Sequence, residues 1–142
     1  MGFEHAVELV DWDTHRTLLS SVRFRVFVEE QKVPEEMEVD EQDPGACHAL
    51  ATDGSGRAIG AARLLPDGSI GRVSVLAEWR RRQVGTALMR ALLRESAARG
   101  FAEVTLHAQV SSIPFYEELG FEAFGHTFEE AGILHRKMTK RL

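Results

Sequence analysis

The stretch IGRVSVL (residues 70–76), followed after two residues by WRRRQVGTAL (residues 79–88), decides the fold of this chain. The first part is rich in β-branched residues, as is typical of a buried β-strand. From Val84 to Leu92, apolar residues recur at positions i, i+3, i+4, i+7 and i+8, which is the face of an amphipathic helix. The sequence therefore predicts a strand, a short basic loop and a helix.

Three arginines, Arg80, Arg81 and Arg82, lie where this helix begins. Cations at a helix N-terminus face the positive end of the helix dipole and its unpaired N–H groups, so the arrangement is favourable when an anion binds there. Gly85 has no side chain and lets a phosphate approach the backbone closely. We interpret the loop as a diphosphate site, the alternative being a solvated arginine cluster beside an ordinary helix.

A second block, LHAQ (residues 106–109) and IPFYEELGF (residues 113–121), follows the helix. Together the two blocks resemble the GNAT superfamily of N-acyltransferases, in which a strand, a short helix with a tyrosine and a Leu-Gly-Phe exit follow a coenzyme A motif. That motif, Gln/Arg-x-x-Gly-x-Gly/Ala, fits two frames, which begin at Arg82 or at Arg80. We prefer the second frame because it places Leu88 as the family does, with Gln83 where the first glycine usually stands. The resemblance spans roughly residues 46–138.

Turn-forming clusters at residues 53–56 and 66–69 divide the middle of the chain into short segments. Because these turns are tight, the segments are predicted to form an antiparallel meander that ends with Ile70–Leu76. Phe101–Gln109 follows the helix, which should end near Arg99, so a crossover should place this strand parallel to Ile70–Leu76. Before this block, the sequence predicts a strand over Phe3–Val10, a helix from a cap at Asp11 or Asp13 to about Glu30, and strands over Ala46–Thr52 and Ala58–Leu65. After it, the sequence predicts a short helix opened by Pro114 and a hairpin of Phe121–Phe128 and Ile133–Arg141, with a long connection through residues 129–132.

The expected fold is therefore α+β, with a GNAT-like mixed, mostly antiparallel sheet that has one parallel, splayed pair of strands and is flanked by helices. The length of 142 residues accommodates one domain, over residues 1–142. By resemblance, the thioester of acetyl-CoA enters between the splayed strands, and its pantetheine arm pairs with the backbone of Val73 and Val75 like an added strand. A backbone N–H of this segment would stabilise the oxyanion. The resemblance assigns coenzyme A binding to Val73, Ser74, Val75, Arg80, Arg81, Arg82, Gln83, Val84, Gly85 and Thr86.

Direct acetyl transfer to an amine needs a base for the amine and an acid for the leaving thiolate. Tyr116, the only tyrosine of the chain, occupies the family's usual acid position, and its alternative role is core packing. The base candidates are His107 and His135, since histidine titrates near neutral pH, and Glu30, beside Glu29, on the helix that borders the acceptor side. For each candidate a structural role is the alternative, and solvent can also take the proton.

Composition limits the function classes. The net charge of −5 argues against general nucleic-acid binding, and six histidines show no paired ligand spacing, so no metal is expected. The single cysteine, Cys47, is interpreted as a small buried hydrophobe and excludes an internal disulfide. No long apolar run or signal pattern is found, so no membrane association and a cytoplasmic location are expected. The acid-rich Glu35–Asp43 stretch is interpreted as a solvated loop, the alternative being an electrostatic lure for a cationic amine.

The sequence thus predicts an acetyl-CoA-dependent N-acetyltransferase that acts on a primary amine of a small molecule or peptide. The alternative is a non-catalytic module of the same fold that binds an acyl-CoA as a sensor, for which Gln83 in the glycine position is the support. Thioester turnover with a panel of amines distinguishes the two. The oligomeric state is left open, with a homodimer as one expectation because dimers are common in the family.

Overall fold

Seven strands form one sheet in the order β1-β2-β3-β4-β5-β7-β6 in the computed structural model, which describes residues 4–142. The strands are β1 His5–Val10, β2 Cys47–Asp53, β3 Ala58–Leu64, β4 Ser69–Val75, β5 Glu103–Gln109, β6 Glu122–Glu130 and β7 Ile133–Arg141. The helices are α1 Trp12–Arg23, α2 Glu35–Glu38, α3 Val84–Ala98 and α4 Ile113–Glu118, with a π-helical segment Phe24–Glu30 directly after α1 and single 3₁₀ turns at Asp43–Gly45, Ala77–Trp79 and Val110–Ser112. The predicted first strand is found from His5 on, and Phe3 lies outside the described residues.

Strand β3 is buried along its whole length because helices cover both faces of the sheet. A Cβ at Gly60 would lie 3.0 Å from side-chain atoms of Val84 and Leu88, so glycine lets α3 pack close to one face of this strand. Arg63, which points to the other face by strand alternation, bonds Asp43 beneath α1. The core therefore lies in two layers, with β3 between α1 and α3.

Strands β4 and β5 form the one parallel pair among the described strands, and they separate almost at once. Their paired residues are Ser69 with Thr105 and Ile70 with Leu106. Beyond them β4 changes register against β3, and Arg72 takes a positive φ of 52°. Such an irregularity bends a strand away from its neighbour. The predicted α+β fold, with a mostly antiparallel sheet and one splayed parallel pair, is confirmed.

The predicted helix does end at Glu30, but its second half is a π-helix and not an α-helix. Regular α-helix ends at Arg23, and residues 24–30 continue in a π-helix, in which the Gln31 N–H donates to the Val26 carbonyl at 3.0 Å. The wider turn leaves the end of this segment over the gap between β4 and β5, where Phe27 and Gln31 border a cavity.

The closing hairpin is longer than predicted. Its connection consists of Ala131 and Gly132, with φ of 53° and 78°, and Glu129 and Glu130 belong to β6. Two consecutive positive φ values are the signature of a tight hairpin turn that matches strand twist. The turn thus fixes the face on which Glu130 lies.

The solvated-loop interpretation of Glu35–Asp43 is wrong for half of its acids. Arg23, which is 1% exposed, bonds Glu38 and, at 2.8 Å, Asp43. The same network contains Arg63 on β3 and Arg72 on β4, which bind Asp40 at 2.7 Å and 3.3 Å. Glu38, Asp40 and Asp43 are therefore neutralised by three arginines, so these three acids contribute little to any attraction of a cationic amine. Three further acids of the stretch are exposed: Glu35, Glu36 and Glu41.

Candidate active site

A cavity of about 1070 Å³ opens where β4 and β5 diverge. Its walls come from β4, the start of α3, the end of β5, α4, the π-helical segment and the β6–β7 turn. Twelve of the predicted site residues line it: Val73, Ser74, Val75, Arg80, Arg81, Gln83, Val84, Gly85, Thr86, His107, Tyr116 and His135. Arg82 and Glu30 do not line it.

The edge of β4 that faces the gap carries backbone groups of Val75. The Leu76 N–H donates to the Ile59 carbonyl at 2.9 Å, so the groups of Leu76 face β3. Because backbone groups alternate along a strand, those of Val75 point away from β3, into the gap. Val73 follows Arg72, where β4 changes register, and it lines the same cavity. The Val75 carbonyl accepts a hydrogen bond from Arg80 Nε at 3.0 Å. An amide-bearing ligand in the gap would meet Val73 and the Val75 N–H.

The three arginines of the loop have different environments. Arg80 binds the Glu30 carboxylate with both terminal nitrogens, at 2.7 Å each. Arg82 lies over the Trp79 ring, 5.7 Å from its centroid. Arg81 is exposed at the rim of the cavity. Of the three, Arg81 is therefore the best placed to reach an anion entering the cavity.

The start of α3 is shaped to receive an anion. Its N-cap residue, Gln83, takes a left-handed conformation with φ 67° and ψ 13°, and its side chain makes no capping hydrogen bond. The first-turn N–H groups of Val84, Gly85 and Thr86 have no intrahelical acceptors. A left-handed residue followed by helical ones gathers successive N–H groups into a concave anion site. Gln83 thus adopts, at a cost of about 1 kcal/mol, the conformation for which glycine is favoured.

Gly85 serves packing as well as access. A Cβ at this position would lie 3.3 Å from Phe115 Cζ and 3.8 Å from Val75 Cγ2. The absent side chain lets Phe115 of α4 and Val75 of β4 pack close to the start of α3. Larger residues here would displace the Phe115 ring.

Tyr116 packs against two aromatic rings and also borders the cavity. Its ring makes edge contacts with Phe115 and Phe121, with centroids 5.0 Å and 6.0 Å apart, and the residue is 8% exposed. Burial raises the pKa of Tyr116 to about 12. The phenol therefore keeps its proton at neutral pH and can donate it within the cavity.

Both candidate histidines lie on the wall formed by β5, β6 and β7. His135 Nδ1 is 2.7 Å from the Ile133 carbonyl, which only accepts, so Nδ1 carries a hydrogen, and in the neutral ring the lone pair is on Nε2. His107 Nδ1 is 3.0 Å from Glu130 Oε1. The Phe128 ring lies between them, edge-on to His107 and stacked on His135.

Glu30 is placed differently from the histidines. The hydrogen bond from Arg80 lowers its pKa, and the residue lies outside the cavity lining. An ion-paired carboxylate of lowered pKa is a weak base. The structure therefore favours a histidine for that role.

Two features of the cavity were not predicted from the sequence: the pairing of Gln31 with Gln109 and the position of Glu130 on β6. Gln31, at the end of the π-helical segment, and Gln109, at the end of β5, exchange amide hydrogen bonds of 2.9 Å and 3.3 Å. This pair joins the two walls of the cavity. Glu130 was read as part of a loop. No local sequence signal pairs glutamines that are 78 residues apart, but the Ala131-Gly132 dipeptide between two extended segments was a usable hairpin signal for Glu130.

The described residues, 4–142, also bear on metal ions and membranes. No group of three or more His, Cys, Asp or Glu side chains in this range is arranged to hold a metal ion. No helix in the described part of the chain has the length and apolarity needed to cross a bilayer.

Comparison with known proteins agrees with this geometry. The model of the GNAT acetyltransferase domain matches residues 15–142. The uncharacterised N-acetyltransferase YjcF of Bacillus subtilis (strain 168) is 37% identical over 123 residues, which cover 84% of this chain and 87% of YjcF.

Solved structures extend the likeness to nearly the whole chain. An acyl-CoA N-acyltransferase from Pseudomonas aeruginosa superposes with a TM-score of 0.84 at 27% identity, covering 96% of this chain and 99% of the other. Escherichia coli ElaA superposes with a TM-score of 0.85 at 26% identity, covering 97% and 100%. These two solved structures therefore share the fold of this chain over nearly its whole length.

Proposed function

This chain belongs to the GNAT acetyltransferase family, and from that premise we propose that it transfers the acetyl group of acetyl-CoA to a primary amine. The observation that carries the proposal is the cavity between β4 and β5. It joins an anion-binding helix start, an open strand edge, a protonated phenol and two imidazoles. Each of these supplies one requirement of the reaction.

The residues present fit coenzyme A as a substrate. The N–H groups of residues 84–86 and the guanidinium of Arg81 would hold the diphosphate. The backbone groups of Val73 and Val75 would pair with the amides of the pantetheine arm, as an added strand pairs with a sheet edge. The remote binding energy would then position the thioester near Tyr116.

The chemistry follows from the groups along the cavity. A histidine takes one proton from the ammonium form of the acceptor, and the neutral amine attacks the thioester carbonyl. As the C–N bond forms and the C–S bond breaks, the Tyr116 hydroxyl protonates the departing thiolate. The second proton of the amine nitrogen restores the phenol, so the products are an amide, a thiol and one proton. The backbone N–H of Val73 or Val75 is the proposed donor to the carbonyl oxygen as negative charge develops there.

The acceptor enters, in this proposal, from the side bordered by Phe27, Gln31 and the β6–β7 turn. This side combines apolar surface with the amides of Gln31 and Gln109 and the imidazoles of His107 and His135. Small-molecule and peptide amines both fit this description.

The test is thiol release from acetyl-CoA with a panel of polyamines, amino sugars, amino acid amides and lysine peptides, with the acetylated product identified by mass spectrometry. The proposal predicts amine-dependent thiol release and an N-acetyl product for at least one class. Tight binding of acetyl-CoA without turnover over the whole panel would favour an acyl-CoA sensor instead. Absence of binding would overturn both.

A further inference from the structure

We propose that Glu130 is a positioning residue for the base: its carboxylate holds the His107 imidazole with the proton on Nδ1, so that Nε2 takes the proton of the acceptor amine. This inference rests on the proposed acetyl transfer and adds to it a residue and a defined tautomer. The contact that carries it joins Glu130 Oε1 and His107 Nδ1 at 3.0 Å.

The protonation of the ring follows from its partner. A carboxylate in contact with solvent is an acceptor only, so the nitrogen that faces it must be the one that carries hydrogen. In the neutral ring the lone pair is then on Nε2. Because His107 lines the cavity, Nε2 is the basic atom that this ring can offer to a bound amine.

The backbone of the hairpin fixes the carboxylate in place. Glu130 is the last residue of β6, directly before the two-residue turn Ala131–Gly132, and its Cα partner is Ile133. Phe128, two residues earlier on the same face, packs edge-on against the His107 ring at 5.0 Å and 80°. One strand therefore holds the imidazole by a hydrogen bond and by a ring contact.

The charged neighbours of His107 leave this role to Glu130. On β7, Lys137 is the cross-strand partner of His107, and His135 lies beyond Phe128. A lysine ammonium only donates hydrogen bonds. The Phe128 ring contacts both His107 and His135 and lies between them, so His135 is not the partner of His107 Nδ1. The exposures of His107 and Glu130, 46% and 48%, mean that this contact contributes little to stability. Orientation of the ring is what the contact supplies.

The proton balance is that of the proposed reaction. His107 Nε2 accepts one proton from the acceptor ammonium and returns it to solvent. Throughout, His107 Nδ1 keeps its own hydrogen and its hydrogen bond to the Glu130 carboxylate. The amine nitrogen forms the amide bond, and the thiolate is protonated by Tyr116. Glu130 gains no proton and touches neither reacting atom.

The test compares Glu130→Ala and Glu130→Gln with the wild-type protein. ¹⁵N NMR of the histidine rings, assigned with a His107→Gln spectrum, reports which nitrogen of His107 carries the proton. We expect the Nδ1–H tautomer in the wild type and in Glu130→Gln, whose amide oxygen still accepts, and a redistribution toward Nε2–H in Glu130→Ala. The kcat of Glu130→Ala should fall about 10-fold, which is less than the loss of about 100-fold expected for His107→Gln. The KM for acetyl-CoA should not change in Glu130→Ala.

Glu129→Ala is the matched control, because Glu129 is exposed on the same strand and points to the opposite face. It should leave both the tautomer and kcat unchanged. The same His107 tautomer in Glu130→Ala as in the wild type would overturn the proposal, as would equal kcat in Glu130→Ala and Glu129→Ala. If no amine is acetylated, the proposed function fails, and the tautomer still decides whether Glu130 orients the ring.

Discussion

The guanidinium of Arg80 binds the carboxylate of Glu30 through both of its terminal nitrogens, at 2.7 Å each. Its Nε donates to the Val75 carbonyl at 3.0 Å. Arg80 thereby joins the end of the π-helical segment to the end of β4, at the entrance to the splayed pair. A residue held at three points acts as a structural link, and this link keeps Glu30 ionised and away from the cavity lining.

Glu30→Gln tests this separation of roles. If a histidine is the base, this variant should keep kcat within about threefold of the wild type, whereas removal of a general base costs about 100-fold or more. Steady-state kinetics at saturating acetyl-CoA measure the difference. If kcat fell about 100-fold while the affinity for acetyl-CoA stayed unchanged, Glu30 would again be a candidate for the base.

Arg81→Ala should raise the Kd of acetyl-CoA about 10-fold, because one charge-assisted hydrogen bond to phosphate is lost. Calorimetric titration gives the value. Arg90→Ala removes an exposed cation from α3, the helix that follows Arg81, and should leave the Kd unchanged. Equal effects of the two substitutions would mean that Arg81 acts only through general charge.

Tyr116→Phe should lower kcat about 100-fold and leave the Kd of acetyl-CoA unchanged. The substitution removes the hydroxyl and keeps the ring contacts with Phe115 and Phe121. Single-turnover kinetics with a saturating amine separate the chemical step from product release. Unchanged turnover would leave Tyr116 with its packing role alone.

The stability of the fold should fall in acid because of Asp43. Burial disfavours its charged form, but hydrogen bonds and charge from Arg23 and Arg63 outweigh burial and lower the pKa of Asp43 from 3.8 to about 2. A carboxyl whose pKa is lowered by folding stabilises the protein above its unfolded pKa, and this contribution is lost as the pH falls toward the folded value. The loss from Asp43 alone is about 2 kcal/mol between about pH 5 and about pH 2.

Urea unfolding across that pH range measures the effect. Asp43→Asn should be less stable at neutral pH by about 3 kcal/mol, because two buried arginines lose a partner. Its free energy of unfolding should also fall less steeply than that of the wild type as the pH is lowered. Asp13→Asn, at an exposed position on α1, should keep the wild-type slope. If the free energy of unfolding fell equally with pH in Asp43→Asn and in the wild type, Asp43 would not be the cause of the loss in acid.

The fold was predictable because its signals are local. The β-branched run before Arg80, the helical periodicity after Gln83 and the tight turns each act within a few residues, and together they fix the meander and the crossover. Gln83 shows the limit of a local motif. It departs from the glycine of the family pattern, yet it takes a left-handed conformation, which glycine adopts without steric cost.

The partners of the charged side chains were not predictable. Arg80 and Arg81 are adjacent and look alike in the sequence, but Glu30, which is 50 residues away, binds only the first. The acids at Glu38 and Asp43 look solvated until α1 and β3 bring Arg23 and Arg63 beside them. Long-range pairing of charges depends on the assembled fold, so local composition could not distinguish a lure from a buried network.

Acetyl-CoA is proposed to occupy the gap between β4 and β5, with its diphosphate at the start of α3. An amide NMR titration of the ¹⁵N-labelled protein with acetyl-CoA tests it most directly. We predict that the largest shifts occur at Val73, Val75 and residues 84–86, and that Arg81→Ala weakens all of them together. Shifts confined to another surface, or no shifts at a concentration that saturates the binding isotherm, would contradict the account.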